Sequence, residues 1–207
     1  MPDEGTVHVI DDDEAVRDSV AFLLAAAGIE VRTYESAEAF LDVLEGIASG
    51  CVVTDVRMPQ MSGLELLQRI RQTYADLPVI VITGHGDVPL AVEAMKAGAA
   101  DFLEKPFDDE ALLAAVRAAF RSKGSDDGRD AERRELAQRI AALSGREHQV
   151  LEGLVAGHPN KIIAFDLGIS PRTVEIYRAN LMTKMQAASL SDLVRMALVA
   201  GLLPNGP

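Results

Sequence analysis

Residues 51–59 read Cys-Val-Val-Thr-Asp-Val-Arg-Met-Pro, an apolar run that ends at an aspartate. The run does not alternate between apolar and polar residues, which is typical of a strand buried on both faces of a parallel sheet. Cys51 is the single cysteine of the chain, so no intramolecular disulfide can form, and its apolar neighbours indicate a small buried side chain. The stretch predicts a central parallel strand with Asp55 at its carboxyl end.

Four further runs of this kind flank the first, and stretches of helical length separate them. Short connections and right-handed crossovers then predict an α/β fold, with a doubly wound, five-stranded parallel sheet. The predicted strands are residues 6–10, 30–33, 51–54, 78–83 and 100–104. The predicted helices are residues 14–27, 36–44, 64–74, 88–97 and 109–122.

Polar side chains stand at the carboxyl ends of the predicted strands. Because the ends of parallel strands share one edge of a sheet, we expect these side chains to converge. Converging carboxylates repel one another unless a cation lies among them, and hard oxygen ligands favour Mg²⁺. A hydroxyl and an ammonium group beside them suit a phosphoryl group, so the edge predicts phosphoryl transfer onto an aspartate. The residues concerned are Asp11, Asp12, Asp55, Thr83 and Lys105.

A plainer interpretation applies to each residue taken singly. An aspartate after a strand is often a helix cap or turn former, and Asp13 or Glu14 is expected to cap the first helix. That interpretation does not explain why all five polar residues fall at strand ends. The Lys105–Pro106 bond is a candidate for the cis form, and His85 is interpreted as a solvated loop residue rather than a catalytic one.

The first 122 residues resemble the receiver domains of two-component response regulators. The resemblance implies that Asp55 accepts the phosphoryl group, and that Thr83 and Lys105 contact it. It also implies a Mg²⁺ site formed by Asp11, Asp12, Asp55 and the backbone carbonyl of Arg57. The motifs that carry it are Val9-Ile10-Asp11-Asp12-Asp13, Thr54-Asp55-Val56-Arg57-Met58-Pro59 with Gly63, Thr83-Gly84 and Lys105-Pro106-Phe107.

Phe102 occupies the position where receiver domains carry an aromatic switch residue. Tyr is common at this position, and Phe excludes a contact through a hydroxyl but not a change of rotamer. The alternative is that Phe102 is simply a core residue.

Charge divides the chain into two parts. Residues 1–123 contain 22 acidic and 10 basic residues, a net charge of −12, whereas residues 124–207 contain 10 of each. The acidity that argues against nucleic-acid binding is therefore confined to the first part. A polar, glycine-containing run at 123–130 predicts a linker. We expect a receiver domain at 1–122, a partly helical linker at 123–142 and a small all-α domain at 143–207.

The C-terminal part has the pattern of a helix-turn-helix. Ser144 and Glu147 have capping-box spacing, Asn160 is expected to cap a short helix at 161–167, and Pro171 suits the first turn of the next helix. The alternative for the outward side of that helix is an ordinary solvated face. Its predicted core stripe is Val174, Leu181 and Met185. The predicted DNA-binding residues are Lys161, Arg172, Thr173, Glu175, Ile176, Arg178, Ala179 and Lys184.

Residues 143–200 resemble the DNA-binding domain of LuxR and NarL regulators, through Leu143-Ser144, Arg146-Glu147, Asn160-Lys161, Ile163-Ala164, Ile169-Ser170 and Thr173-Val174. Glu175 departs from the Lys that many members carry, so the DNA sequence preferred is expected to differ. Both halves together resemble the FixJ branch of response regulators. That resemblance implies a sensor histidine kinase, promoter DNA and RNA polymerase as partners, a homodimer when phosphorylated, and activation of nitrogen-fixation or low-oxygen genes.

Two other functions fit parts of the pattern. A Mg²⁺-dependent phosphohydrolase could use Asp55 as a covalent nucleophile, but it leaves the helix-turn-helix unexplained. A phosphorylation-gated protein-binding module with a degenerate DNA domain is favoured only by Glu175 and the zero net charge after residue 123. The resemblance implies that the chain is not an enzyme beyond its own phosphotransfer and dephosphorylation.

No apolar stretch approaches the ~20 residues of a membrane span, and the N-terminus lacks a signal pattern, so we expect a cytoplasmic protein without membrane contact.

Overall fold

The computed structural model describes residues 5–47, 49–84, 88–121 and 126–202. His85 lies outside these ranges. Contacts divide the chain into two compact units, residues 1–85 with 97–123 and residues 86–96 with 124–207. In the described ranges, no helix is both long enough and apolar enough to cross a membrane.

The first unit is built on a five-stranded parallel sheet in the order β2-β1-β3-β4-β5, which confirms the predicted fold class. The strands are β1 (Thr6–Ile10), β2 (Val31–Tyr34), β3 (Gly50–Asp55), β4 (Val79–Thr83) and β5 (Asp101–Glu104). The helices of the first part of the chain are α1 (Glu14–Ala26), α2 (Ala37–Leu41), α3 (Gly63–Thr73), α4 (Val88–Lys96) and α5 (Asp109–Arg121), and α4 is grouped by its contacts with the second unit.

Every residue of β3 and β4 is buried, as their unbroken apolar runs predict. One face of the sheet forms a core with apolar side chains of α1 and α5, such as Leu24 and Val116. Residues that point to the other face, such as Ile10 and Val81, are equally buried. Burial on both faces explains why these strands do not alternate with polar residues.

The predicted helix at 36–44 is wrong in its last three residues. Ser36 caps α2 through the backbone N–H of Ala39, but the α-helix ends at Leu41, and a short 3₁₀ helix follows at Leu44–Gly46. Val43 has a weak helix propensity and lies in the last predicted turn, and Gly46 follows two residues beyond the predicted end. The chain therefore leaves the α-helix before Leu44 turns into the core.

His8 lies on β1 with its ring buried among aromatic side chains. Its Nδ1 is 3.0 Å from the Tyr34 hydroxyl, and its ring centroid lies 5.5 Å from that of Phe40. Its Nε2 is buried without a hydrogen-bond partner among the described residues, and a Cβ on Gly50 would lie 3.3 Å from that atom. Burial lowers the pKa of His8 from its usual 6.5, and the charge of Arg32 acts in the same direction. The folded protein therefore favours the neutral ring.

The free energy of unfolding of the first unit is expected to fall as the pH drops below about 6.5, because unfolded His8 takes up a proton that the folded ring resists. This loss continues until the pH reaches the lower pKa of the folded state. The phenyl ring in His8→Phe cannot be protonated, so this variant should lack this part of the pH dependence of the free energy of unfolding. Urea unfolding of both proteins between about pH 7 and pH 5 measures the effect. Parallel curves for the two proteins would contradict it.

The second unit has its own helical core. Its remaining helices are α6 (Asp126–Ala141), α7 (Gly145–Val155), α8 (Asn160–Leu167), α9 (Pro171–Met185) and α10 (Leu190–Val199). The predicted core stripe of α9 is correct, since Val174, Leu181 and Met185 are fully buried. Leu136 and Ile140 of α6 join the same core, so the last two turns of this helix pack as part of the second unit.

The turn between α8 and α9 follows from local sequence signals. Gly168 ends α8 in the left-handed conformation, and Ser170 caps α9 through the backbone N–H of Thr173. The predicted cap of α8 is wrong by one residue, because Pro159 holds the cap position and Asn160 is the first helical residue. The Asn160 side chain instead accepts a hydrogen bond from Arg178.

Candidate functional site

Lys105 joins two carboxylates at the carboxyl edge of the sheet. Its Nζ lies 2.8 Å from Oδ2 of Asp11 and 2.6 Å from Oδ1 of Asp55. The two aspartates follow β1 and end β3, and these strands are neighbours in the sheet. Both carboxylates are buried, whereas Lys105 remains partly exposed. The three residues therefore converge as the sequence predicts.

Backbone N–H groups hold the remaining carboxylate oxygens. The N–H of Arg57 donates to Oδ2 of Asp55 at 2.6 Å, and the N–H of Asp13 donates to Oδ1 of Asp11 at 2.9 Å. Asp13 also caps α1, as predicted. In each carboxylate, one oxygen is thus held by a backbone N–H, and the other oxygen points toward Lys105.

The charge of Lys105 is stabilised by its two partners. Burial by itself would lower the pKa of Lys105, but the hydrogen bonds and charges of Asp11 and Asp55 together outweigh burial and raise it. The side chain is therefore an ammonium cation across the physiological range. Its peptide bond to Pro106 is cis, the form named as a candidate from the sequence.

Gly63 allows α3 to begin directly against the end of β3. A Cβ at this position would overlap the backbone carbonyl oxygen of Asp55. The same carbonyl accepts a hydrogen bond of 3.1 Å from the Thr54 hydroxyl. Ser62 and Glu65 form a capping box that fixes the start of α3 at this point.

Thr83 and Phe102 occupy neighbouring strands next to this edge. Thr83 ends β4 and is fully buried, and its carbonyl accepts the backbone N–H of Lys105 at 2.7 Å. Phe102 lies on β5 opposite Val81 and is 5% exposed. The structure thus places Thr83 beside the backbone that carries Lys105, and Phe102 in the core.

The outward side of α9 combines an ion pair with an exposed apolar side chain. Arg172 Nη1 lies 2.8 Å from the Glu175 carboxylate, and both side chains are largely exposed. Ile176 is 53% exposed, and Ala179 completes the face at the next turn. Positions 172, 175, 176 and 179 are spaced so that they share one side of a helix. The structure therefore presents these four predicted residues together.

Two family models match this chain. Residues 7–117 match the response regulator receiver domain, and residues 141–197 match the bacterial regulatory proteins of the luxR family. The chain is 63% identical to the transcriptional regulatory protein FixJ of Azorhizobium caulinodans, over 99% of this chain and 97% of that protein. The protein of the same name from Rhizobium meliloti is 52% identical, over 97% and 98% of the two chains.

The chain is a FixJ-like response regulator of a two-component system. A solved structure, full-length FixJ from B. japonicum, is 56% identical, covers 96% of this chain and 98% of its own, and has a TM-score of 0.57. The named relatives are transcriptional regulators rather than enzymes. The receiver and LuxR-type domains of this response regulator imply a histidine kinase partner and binding to DNA.

The donor chemistry of the acidic edge fits the magnesium site that receiver domains generally have. Asp11 and Asp55 supply hard carboxylate oxygens at neighbouring strand ends, and Asp12 is an exposed carboxylate beside them. The described residues contain no preassembled cluster of three or more acidic, histidine or cysteine side chains suited to a metal. A Mg²⁺ site here would therefore also need a backbone oxygen, such as the Arg57 carbonyl, and water.

Lys184, a predicted DNA-binding residue of this response regulator, has a partner within the fold. Its Nζ lies 2.7 Å from Oε2 of Glu147, which is buried at the first turn of α7. The hydrogen bond from Lys184 lowers the pKa of Glu147 from 4.5 to about 2, and hydrogen bonds with Ser144 contribute. Lys184 therefore joins the end of α9 to the start of α7. The sequence indicated Glu147 as a capping residue but gave no sign of this partner, 37 positions away.

Replacing Lys184 by Met is expected to destabilise the second unit by about 1–3 kcal/mol, because a buried carboxylate loses its cation. The contribution of Glu147 is complete above about pH 4.5 and is lost as the pH falls toward 2, since its pKa is depressed in the folded state. Thermal unfolding at neutral and acid pH measures both effects. Lys161→Met makes the same change at an exposed position of α8 and should be nearly neutral. Equal stability of the two variants would contradict the prediction.

Proposed function

We propose that a sensor histidine kinase phosphorylates this response regulator on Asp55, and that the phosphorylated form dimerises and binds promoter DNA. The observation that supports this proposal is the convergence of Asp55, Asp11 and Lys105 at the carboxyl edge of the sheet. A nucleophilic carboxylate, a second carboxylate and a fixed cation are the groups that phosphoryl transfer to an aspartate requires.

In this proposal, each group of the site has a separate role. An Asp55 carboxylate oxygen attacks the phosphorus of the kinase phosphohistidine, so the new O–P bond forms as the P–N bond breaks and the histidine leaves. The N–H of Arg57 keeps the other Asp55 oxygen in place. Lys105, already bonded to Asp55, pairs with the phosphoryl oxygens. Mg²⁺ held by Asp11, Asp12, Asp55 and the Arg57 carbonyl would supply further neutralising charge. The hydroxyl of Thr83, buried at the end of β4, would donate a hydrogen bond to the phosphoryl group after moving toward it.

Phosphorylation then changes packing because it adds about two negative charges beside Asp11. Movement of Thr83 and Lys105 toward the phosphoryl group would leave space next to β5, where Phe102 packs. A change of the Phe102 rotamer is the proposed link from the site to the rest of the receiver. The result is a homodimer that presents two copies of α9 to paired half-sites.

On DNA, the proposed contacts fall into two groups. The outward face of α9 is proposed to meet base edges, through residues 172, 175, 176 and 179. Lys161, Thr173, Arg178 and Lys184 are proposed to contact the phosphate backbone. Through its resemblance to the FixJ branch, the protein is proposed to act in the cytoplasm with RNA polymerase as an activator of nitrogen-fixation or low-oxygen genes.

We also propose a receiver domain at 1–122 and a DNA-binding domain at 143–207, with the linker at 123–142 between them. The burial of Leu136 and Ile140 in the core of the second unit supports treating the last two turns of α6 as an extension of the DNA-binding domain.

Selection of bound duplexes from a random DNA library tests the proposal. The chain treated with Mg²⁺ and a small-molecule phosphodonor is expected to enrich a sequence with two related half-sites. Size-exclusion chromatography with light scattering should show a dimer under the same conditions and a smaller species without the donor. Enrichment that is equally strong without phosphodonor would contradict control by phosphorylation. Failure to bind any duplex at low salt would contradict the DNA-binding function.

A further inference from the structure

A cleft of about 690 Å³ lies in the second unit, between the first turn of α7 and the middle of α9. Gly145, Arg146 and Gln149 of α7 line it together with Ser144, which caps that helix, and Tyr177 lines it from α9. None of these five residues is acidic, and one carries a positive charge. The charge of the lining therefore favours an anionic group, a use that the proposed contacts above do not include.

Arg146 is held in place with part of its guanidinium unused. Its Nη1 donates to the Leu167 carbonyl and to Oε1 of Gln149, both at 3.3 Å. Both bonds come from Nη1, and Nη2 and Nε form no hydrogen bond within the described ranges. Tyr177 likewise forms no hydrogen bond there through its hydroxyl. An arginine fork next to neutral donors matches the geometry of a phosphate group.

The cleft lies on one flank of the DNA-facing side of α9. Successive residues of a helix are turned by about 100°, so Tyr177 points about 100° away from the outward Ile176, and Arg178 points about 160° away in the opposite sense. The two side chains therefore meet different neighbours. Arg178 faces α8, where its Nη1 donates to the Asn160 side chain at 3.1 Å. Tyr177 faces α7 and the cleft. A helix in the major groove has a phosphate backbone along each flank. Lys161 of α8 can contact only the backbone on the α8 side.

We propose that this cleft binds a phosphate of the DNA backbone, with Arg146 as its charged ligand and Gln149 and Tyr177 as neutral donors. The inference rests on the DNA-binding function proposed above. It adds a backbone contact on the α7 side of α9, separate from the one proposed for Lys184 at the end of that helix. Because a phosphate contact carries no sequence information, its effect should be the same on every duplex.

The test measures binding of the full chain, treated with Mg²⁺ and phosphodonor, to labelled duplexes of unrelated sequence over a range of salt concentrations. Arg146→Ala is expected to weaken binding by about tenfold at low salt and to reduce the slope of log K against log salt by about 1. Tyr177→Phe should weaken binding by roughly twofold to fivefold and leave the slope unchanged, since it removes a neutral donor. Arg134→Ala removes the same charge from an exposed position of α6 and serves as the matched control.

The salt slope separates ligand binding from a structural role. If Arg146 only joined α7 to the end of α8, Arg146→Ala would lower the melting temperature without changing the slope, and that result would overturn the proposal. Wild-type affinity in Arg146→Ala would overturn it as well. If inorganic phosphate shifts the Arg146 side-chain NMR signals while DNA affinity is unchanged in the variant, the cleft is a small-anion site and the proposal is wrong. Absence of DNA binding by the wild type would instead overturn the underlying function, and this site with it.

Discussion

Asp55→Asn is expected to abolish phosphorylation of the response regulator by a small-molecule donor. Asparagine has the size of aspartate, but its amide oxygen cannot form the acyl phosphate that a carboxylate oxygen forms. The intact mass of the wild type should rise by one phosphoryl group in the presence of Mg²⁺, and that of the variant should not. DNA binding by the variant should then be unaffected by the donor.

Asp13→Asn is the matched control for this experiment. It makes the same substitution at the same edge of the sheet, where asparagine can replace aspartate as the cap of α1. The control should be phosphorylated to the same extent as the wild type. A phosphoryl group that persists in Asp55→Asn would mean that another residue is the acceptor, and the assignment of the acidic edge would have to change.

The second large effect is expected at Gly63. An added Cβ overlaps the carbonyl oxygen of Asp55, so either the start of α3 or the end of β3 must move. Overpacking of this kind typically costs about 1–3 kcal/mol. Since the displaced backbone carries Asp55, the proposed phosphoacceptor, Gly63→Ala should also slow phosphorylation severalfold. Urea unfolding and time-resolved intact mass measure the two effects.

Gly46→Ala provides the comparison, because a Cβ at Gly46 meets no atom within 4 Å. It adds the same methyl group to the same unit, at an exposed position. Its unfolding midpoint and its rate of phosphorylation should match those of the wild type within error. If the two glycine variants unfold at the same urea concentration, the close approach of α3 to Asp55 has no energetic consequence.

The parts of the structure that the sequence predicted are those specified by local signals. Unbroken apolar runs mark β3 and β4, and the polar residue after each run marks its end. Parallel topology then determines which ends meet, so the approach of Asp11, Asp55 and Lys105 could be predicted across up to 94 positions. The start of α9 was equally predictable, since Ser170 and Pro171 are strong signals for the beginning of a helix.

The parts that the sequence did not predict depend on contacts between distant side chains. The pairing of Lys184 with Glu147 needs the crossing of α7 and α9, which no local pattern reveals. The burial of Leu136 and Ile140 was hidden because, among the side chains of α6 that the structure describes, these two alone join the core from a helix that is otherwise highly charged. The early end of α2 reflects the weak helix propensity of Val43, which periodicity alone does not register.

The ion pair on the outward face of α9 also bears on how this protein searches a chromosome. A phosphate that approaches Arg172 meets the Glu175 carboxylate 2.8 Å away, which competes for the arginine and repels the phosphate. A genome offers about 10⁶ or more competing non-specific sites. A lower affinity for each of these sites leaves more protein free to find the operator. In the proposed interface, a cytosine amino group would donate a hydrogen bond to Glu175, and Arg172 would then be released from the ion pair. Discrimination in favour of the operator would thus arise partly from weak binding to all other DNA sites.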